Sequence, residues 1–205
     1  EGPRLDQALV PVPGDEVGGA TAKTLEFAVA DGSIAALAAA LGYETDAADF
    51  AGRAGNFRNL FDPETGFMRG KKADGTWMES TAEFDPLDWD ADYYVEGTAW
   101  QYTWLAPHDP QGLLELFGSA QAMAEKLEAF FSTPEPDDPL KEFLPKVYYW
   151  QGNEPDLHAA YLFAAIGKPD RTQYWVRDIL KTRYGTGPDG LAGNDDCGTL
   201  SAWYV

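Results

Sequence analysis

Apolar positions along the chain recur at steps of three and four, the period of a helix that buries one face. The clearest run is Leu113, Phe117, Ala120, Ala124, Leu127 and Phe131. Asp109-Pro110 opens it with a cap and a first-turn proline, and Thr133-Pro134-Glu135-Pro136 stops it, so the pattern predicts one helix throughout. An alanine-rich helix is expected from Thr24 to Leu41, closed by Gly42, and another from about Ala47 to Leu60. Pro155 to Ile166 and Arg171 to Tyr184 read as a helical pair, closed by Gly167 and Gly185. A last helix is expected to begin near Asp196 and run to Val205. Strand pattern is scarce. Only Gly66 to Gly70 with Asp74 to Trp77 resembles a short hairpin.

No sequence repeat is evident, but the plan repeats: helix, short link, helix, long loop. Gly/Pro/Asp-rich loops fall at Asp62 to Asp85 and Gly185 to Gly193. Helical hairpins joined in this way close into an (α/α) toroid, with inner helices around a cavity and loops crowding one rim. The fold class is therefore all-α, part of an (α/α)6 toroid with a short β-hairpin in a loop; a plain helical bundle is the alternative. The chain starts at Glu1 rather than Met and stops at Val205 within an apolar run, so residues 1–205 are expected to be one partial domain, cut at both ends.

Composition narrows the chemistry. With 44% hydrophobic and 14% aromatic residues, the 205-residue chain can build a real core. Its 34 Asp and Glu against 15 Lys and Arg give a net charge of −19, which argues against nucleic acid as a partner. A neutral glycan would not be repelled. A single cysteine, Cys197, allows no intrachain disulfide. No uninterrupted run of about 18 apolar residues occurs, so no membrane span is expected.

Three segments place acids just before a helix start, among glycines and aromatics: Tyr93 to Tyr102 around Glu96, Gln151 to Asp156 around Glu154, and Gly193 to Gly198 around Asp195 and Asp196. Each alone could be an ordinary cap. Capping, however, does not call for flanking glycines or neighbouring Tyr and Trp. Glycine lets a ligand approach backbone, and aromatic faces stack on sugar rings.

The blocks Glu96-Gly97-Thr98-Ala99-Trp100-Gln101-Tyr102-Thr103-Trp104, Gly152-Asn153-Glu154-Pro155-Asp156 and Gly193-Asn194-Asp195-Asp196-Cys197-Gly198, in that order, resemble glycoside hydrolase family 92. The resemblance covers roughly Asp46 to Val205. It implies a calcium-dependent exo-α-mannosidase that removes terminal mannose from N-glycan-type mannosides with inversion. It also implies an N-terminal β-sandwich and closing helices beyond this chain, and a secreted or periplasmic address.

By match to the family blocks, Glu96 is the general acid and Asp196 the general base. Asn194 stands where many members carry a second acid, and Asp195 could substitute. Trp100, His158, Asp156, Trp150 and Tyr149 are candidate sugar contacts. Two histidines and a lone cysteine make zinc improbable, whereas Glu154, Asn153 and Gln101 offer the hard oxygens that suit Ca²⁺. Two rivals remain open: another (α/α) toroid hydrolase or lyase, and an inactive fragment that only binds sugar or calcium.

Overall fold

The computed structural model describes residues 10–137 and 146–205. Eight α-helices are defined there: α1 (Ala20–Leu41), α2 (Glu44–Ala54), α3 (Ala99–Tyr102), α4 (Pro110–Phe117), α5 (Ala120–Ser132), α6 (Ala159–Ala165), α7 (Pro169–Thr182) and α8 (Thr199–Tyr204). α1 pairs with α2, α4 with α5, and α6 with α7, so the expected helical hairpins are present. The chain is all-α, and its hairpins form part of an (α/α)6 toroid.

α1 ends as expected. Gly42 takes the left-handed conformation at φ 81° and returns its N–H to the carbonyls of Ala38 and Ala39. The helix expected over Leu113 to Phe131 is instead two helices. Gly118, at φ 76°, closes α4, and the Ser119 hydroxyl accepts from the Ala122 N–H to open α5. The helix expected from Pro155 begins as a 3-10 turn, Glu154–Asp156, and becomes α-helical only at Ala159. A second 3-10 turn, Gly55–Leu60, continues α2.

The hairpin also differs in its pairing. β1 (Phe61–Asp62) runs antiparallel to β2 (Phe67–Met68), and the predicted downstream partner survives only as a single bridge between Lys71 and Trp77. Fully buried Arg69 anchors this unit. Its guanidinium reaches Asp62 Oδ2 at 2.7 Å and the Glu79 carbonyl at 2.5 Å.

The core is aromatic-rich. Trp104 stacks on Phe117 with ring centroids 5.5 Å apart, and Phe131 stacks on Trp175 at 4.9 Å. Leu25, Leu60, Met68, Leu127 and Phe163 fill the space between the hairpins. By length and composition alone, helix α1 is apolar enough to cross a bilayer. The uninterrupted-run criterion passes over it because Lys23, Glu26 and Asp31 break the run. Asp31 is buried and paired with Arg53 Nε at 2.9 Å, while Phe27, Ile34, Leu37 and Leu41 lie exposed.

Candidate active site

The loop bearing Glu96 is fixed from both sides. Upstream, the first turn of α1 donates N–H groups from Gly19 to the Asp92 carbonyl and from Thr21 and Ala22 to that of Tyr93. Downstream, Thr98 opens α3: its N–H reaches Gln101 Oε1 at 3.2 Å, and its hydroxyl donates to the Val147 carbonyl at 2.8 Å. A Cβ on Gly97 would fall 2.8 Å from Gln101 Oε1 and 2.9 Å from the Tyr102 ring. Only glycine fits there.

The second block locks onto the first. Asn153 Nδ2 donates to the Glu96 carbonyl at 3.0 Å and approaches Gln101 Oε1 at 3.3 Å. Gln101 Nε2 lies within hydrogen-bond reach of the carbonyls of Lys146 and Tyr148 and of Asp156 Oδ2. Gln101 is thus a hub whose oxygen and nitrogen are both engaged, and it is fully buried.

The third block leans on the second through bare backbone. A Cβ on Gly193 would sit 2.9 Å from Gly152 Cα, and one on Gly152 would meet the Ala192 carbonyl at 2.7 Å. Trp150 Nε1 donates to that same carbonyl at 2.9 Å. The three loops singled out in the sequence therefore meet edge to edge, and their glycines are what permit it.

The acids divide into two sets. Asp156 is fully buried, and its Oδ2 accepts from the Trp150 N–H at 2.8 Å as well as from Gln101. Burial pushes its carboxyl well above the usual carboxylate range. Among the described residues its Oδ1 has no hydrogen-bond partner. Asp195 braces α8, accepting from the Ser201 N–H at 2.9 Å and the Ser201 hydroxyl at 3.0 Å. By contrast Glu96, Glu154 and Asp196 are exposed, as is Asn194, and among the described residues no side-chain hydrogen bond is recorded to those three carboxylates. Three carboxylates are left free for something else.

Backbone geometry marks two of them again. Among the described residues, positive φ outside glycine occurs only at Glu96 (49°), Asp196 (44°) and Cys197 (60°). Such conformations cost energy, and they cluster at functional sites.

The candidate sugar contacts fall into different surroundings. Trp150 is partly exposed beside the third block. Trp100 packs against Phe67 and Tyr148 at 5.1 and 5.3 Å, with Lys126 over its ring. Tyr149 is buried against Phe130 and Phe131, and its hydroxyl binds Gln151 Oε1. His158 Nε2 lies 2.6 Å from the Trp104 carbonyl, and burial lowers its pKa. The sequence reasoning missed Glu26 on α1. Partial desolvation, and then the charge of Glu154, raise the carboxyl of this surface residue. Its signal was simply an acid in an apolar helix.

No three His, Cys, Asp or Glu side chains among the described residues converge closely enough to hold a metal by themselves. A hard cation would draw on the exposed Glu154 carboxylate and the side-chain oxygen of Asn153, whose amide nitrogen is already committed to Glu96. That donor set suits calcium completed by water or sugar hydroxyls, with Gln101 bracing Asn153 from behind.

Residues 6–205 match the family model described as the glycosyl hydrolase family 92 catalytic domain, and the chain belongs to that family. A family GH92 α-mannosidase from Bacteroides thetaiotaomicron, solved with mannoimidazole, is 38% identical with a TM-score of 0.85, over 95% of this chain and 26% of that one. An inverting mannosidase of the same family and organism is 39% identical with a TM-score of 0.80, over 95% and 27%. An uncharacterized secreted glycosidase from Arthroderma benhamiae is 24% identical over 89% of this chain and 24% of its own length. The chain spans about a quarter of the length of these relatives.

Proposed function

We propose that this chain carries the catalytic carboxylates of an inverting exo-α-mannosidase acting on mannose-containing glycans, with Glu96 as general acid and Asp196 as general base. The observation that carries the reading is that these two acids are exposed, free of side-chain hydrogen bonds and held at positive φ on loops that interlock through Asn153 and the Gly152–Gly193 contact. Their neighbours Asp156 and Asp195 accept hydrogen bonds that brace the loops, through Asp156 Oδ2 and both Asp195 oxygens.

Inverting hydrolysis needs one carboxyl to protonate the departing oxygen and one carboxylate to draw a proton from water on the opposite face of the ring. The two carboxyls are expected about 6.5–9.5 Å apart, leaving room for that water. Glu96 gives its proton to the glycosidic oxygen; Asp196 takes one from the water; solvent restores both. Asp195 keeps Asp196 at the mouth of α8, and Asn194 is the neutral companion on the same loop. Trp150 and the outer edge of Trp100 bound the sugar, while His158, Tyr149 and Asp156 hold the walls from inside. Glu154 and Asn153 would hold calcium, which favours distortion of the ring by binding its hydroxyls. The parent polypeptide would be exported, in keeping with a relative described as secreted.

The test is hydrolysis of an aryl α-mannoside by the full-length polypeptide, followed by proton NMR. β-Mannose appearing first, with the rate lost to a chelator and restored by Ca²⁺, supports the reading. α-Mannose first, or no hydrolysis with calcium present, refutes it.

A further inference from the structure

Tyr102, the last residue of α3, reaches back to the loop that carries Glu96. Its phenol donates to the Val95 carbonyl at 2.5 Å. The ring behind that bond is itself held. It is buried, and it stacks on Tyr94 with centroids 5.3 Å apart and an interplanar angle of 14°. Tyr94 donates its own hydroxyl to the Met68 carbonyl on β2 at 2.6 Å, so the stack ties α3 to the hairpin. Gly97 lies flush on the same ring, since a Cβ there would fall 2.9 Å from Tyr102 Cε2.

The acceptor sets this bond apart from ordinary core packing. A buried phenol needs an acceptor, and any nearby carbonyl would serve. The Val95 carbonyl belongs to the peptide unit that ends at the Glu96 nitrogen, and turning that unit changes φ of Glu96. The Glu96 carbonyl belongs to the next unit, whose rotation changes ψ, and Asn153 Nδ2 holds it at 3.0 Å. Two side chains from different elements therefore clamp the peptide planes on either side of one Cα. That residue is left-handed at φ 49°, a conformation that persists at a residue bearing Cβ only where its surroundings fix it. Holding both planes sets the direction of the Cα–Cβ bond, and with it where the carboxyl can reach.

We propose that Tyr102 is a positioning residue for Glu96: its phenol, acting through the Val95 carbonyl, holds the peptide plane that aims the acid's side chain. The proposal rests on the reading of Glu96 as general acid. The phenol transfers no proton in the reaction, and its contribution is geometric. A general acid works only within hydrogen-bond reach of the departing oxygen, and a loop free to relax from left-handed φ carries the carboxyl away from it.

The test compares two substrates on the full-length polypeptide. Phenyl α-mannoside has a leaving group that departs poorly without a proton, whereas the anion of dinitrophenyl α-mannoside departs unaided. Tyr102→Phe keeps the ring stack and removes only the bond to Val95. It is expected to lower kcat about tenfold or more on the phenyl substrate and less than about threefold on the dinitrophenyl one. The ratio of the two rates does not depend on how much of the variant is folded. Tyr94→Phe, which removes a comparable buried bond one ring away, should leave that ratio as in wild type, and Glu96→Gln should shift it further than Tyr102→Phe does. An unshifted ratio in Tyr102→Phe beside a shifted one in Glu96→Gln overturns the proposal alone. An unshifted ratio in Glu96→Gln refutes the general-acid reading, and the proposal with it. A ratio shifted as far in Tyr94→Phe as in Tyr102→Phe also overturns the proposal, because loosened packing would then suffice.

Discussion

Asn153 donates its side-chain N–H to the main-chain carbonyl of Glu96 at 3.0 Å, joining positions 57 residues apart along the chain. The bond acts on the backbone of Glu96 and leaves its carboxyl free. Asn153 is almost fully buried, so removing its amide strands a carbonyl and unties the hub at Gln101. Asn153→Ala is expected to lower unfolding free energy by about 1–3 kcal/mol, read from the denaturant midpoint. The exposed Glu154→Gln should stay within about 0.5 kcal/mol of wild type in the same assay.

Positive φ at Glu96, Asp196 and Cys197 predicts that stability and activity part company there. A left-handed residue bearing Cβ costs about 1–2 kcal/mol, and glycine returns about 0.5–1 kcal/mol of that as chain entropy. Asp196→Gly and Cys197→Gly should each therefore raise stability by roughly 0.5–1 kcal/mol in thermal melts. Only the first should abolish hydrolysis. A destabilised Cys197→Gly variant would contradict the strain argument.

His158 supplies a pH dependence. Burial depresses its pKa below the usual histidine value of about 6.5, so the unfolded chain binds the proton first as pH falls. The stability it contributes is complete above about pH 6.5 and is lost progressively below it. Melting temperature should fall between pH 6.5 and 5, and His158→Asn should flatten that slope. An unchanged slope in the variant would remove His158 as its source.

Much of this was legible in the sequence, and the misses have physical causes. The three acidic blocks could be found because glycine, aromatic and carboxylate stand together where simple caps would need none of that. Gly42 ended α1 as read. Leu113 to Phe131 kept helical spacing across Gly118-Ser119, since a chain reversal of this length preserves apolar spacing while changing direction. Type and neighbourhood do not reveal burial, so the sequence could not show that Asp156 and Tyr149 are buried, with Asp156 Oδ2 and the Tyr149 hydroxyl bonded inside. Glu26 could not be singled out, because only folding sets α1 against the Glu96 loop.

The central claim is that Glu96 and Asp196 act together across one hollow. The most direct measurement is the turnover of an aryl α-mannoside by the full-length polypeptide carrying Glu96→Gln, Asp196→Asn or both, with melting temperature recorded for each. Each single variant should lose about 10²–10⁴-fold in rate with its melting temperature kept, and the double should be little worse than the slower single. Turnover near wild type in either single variant would contradict the account.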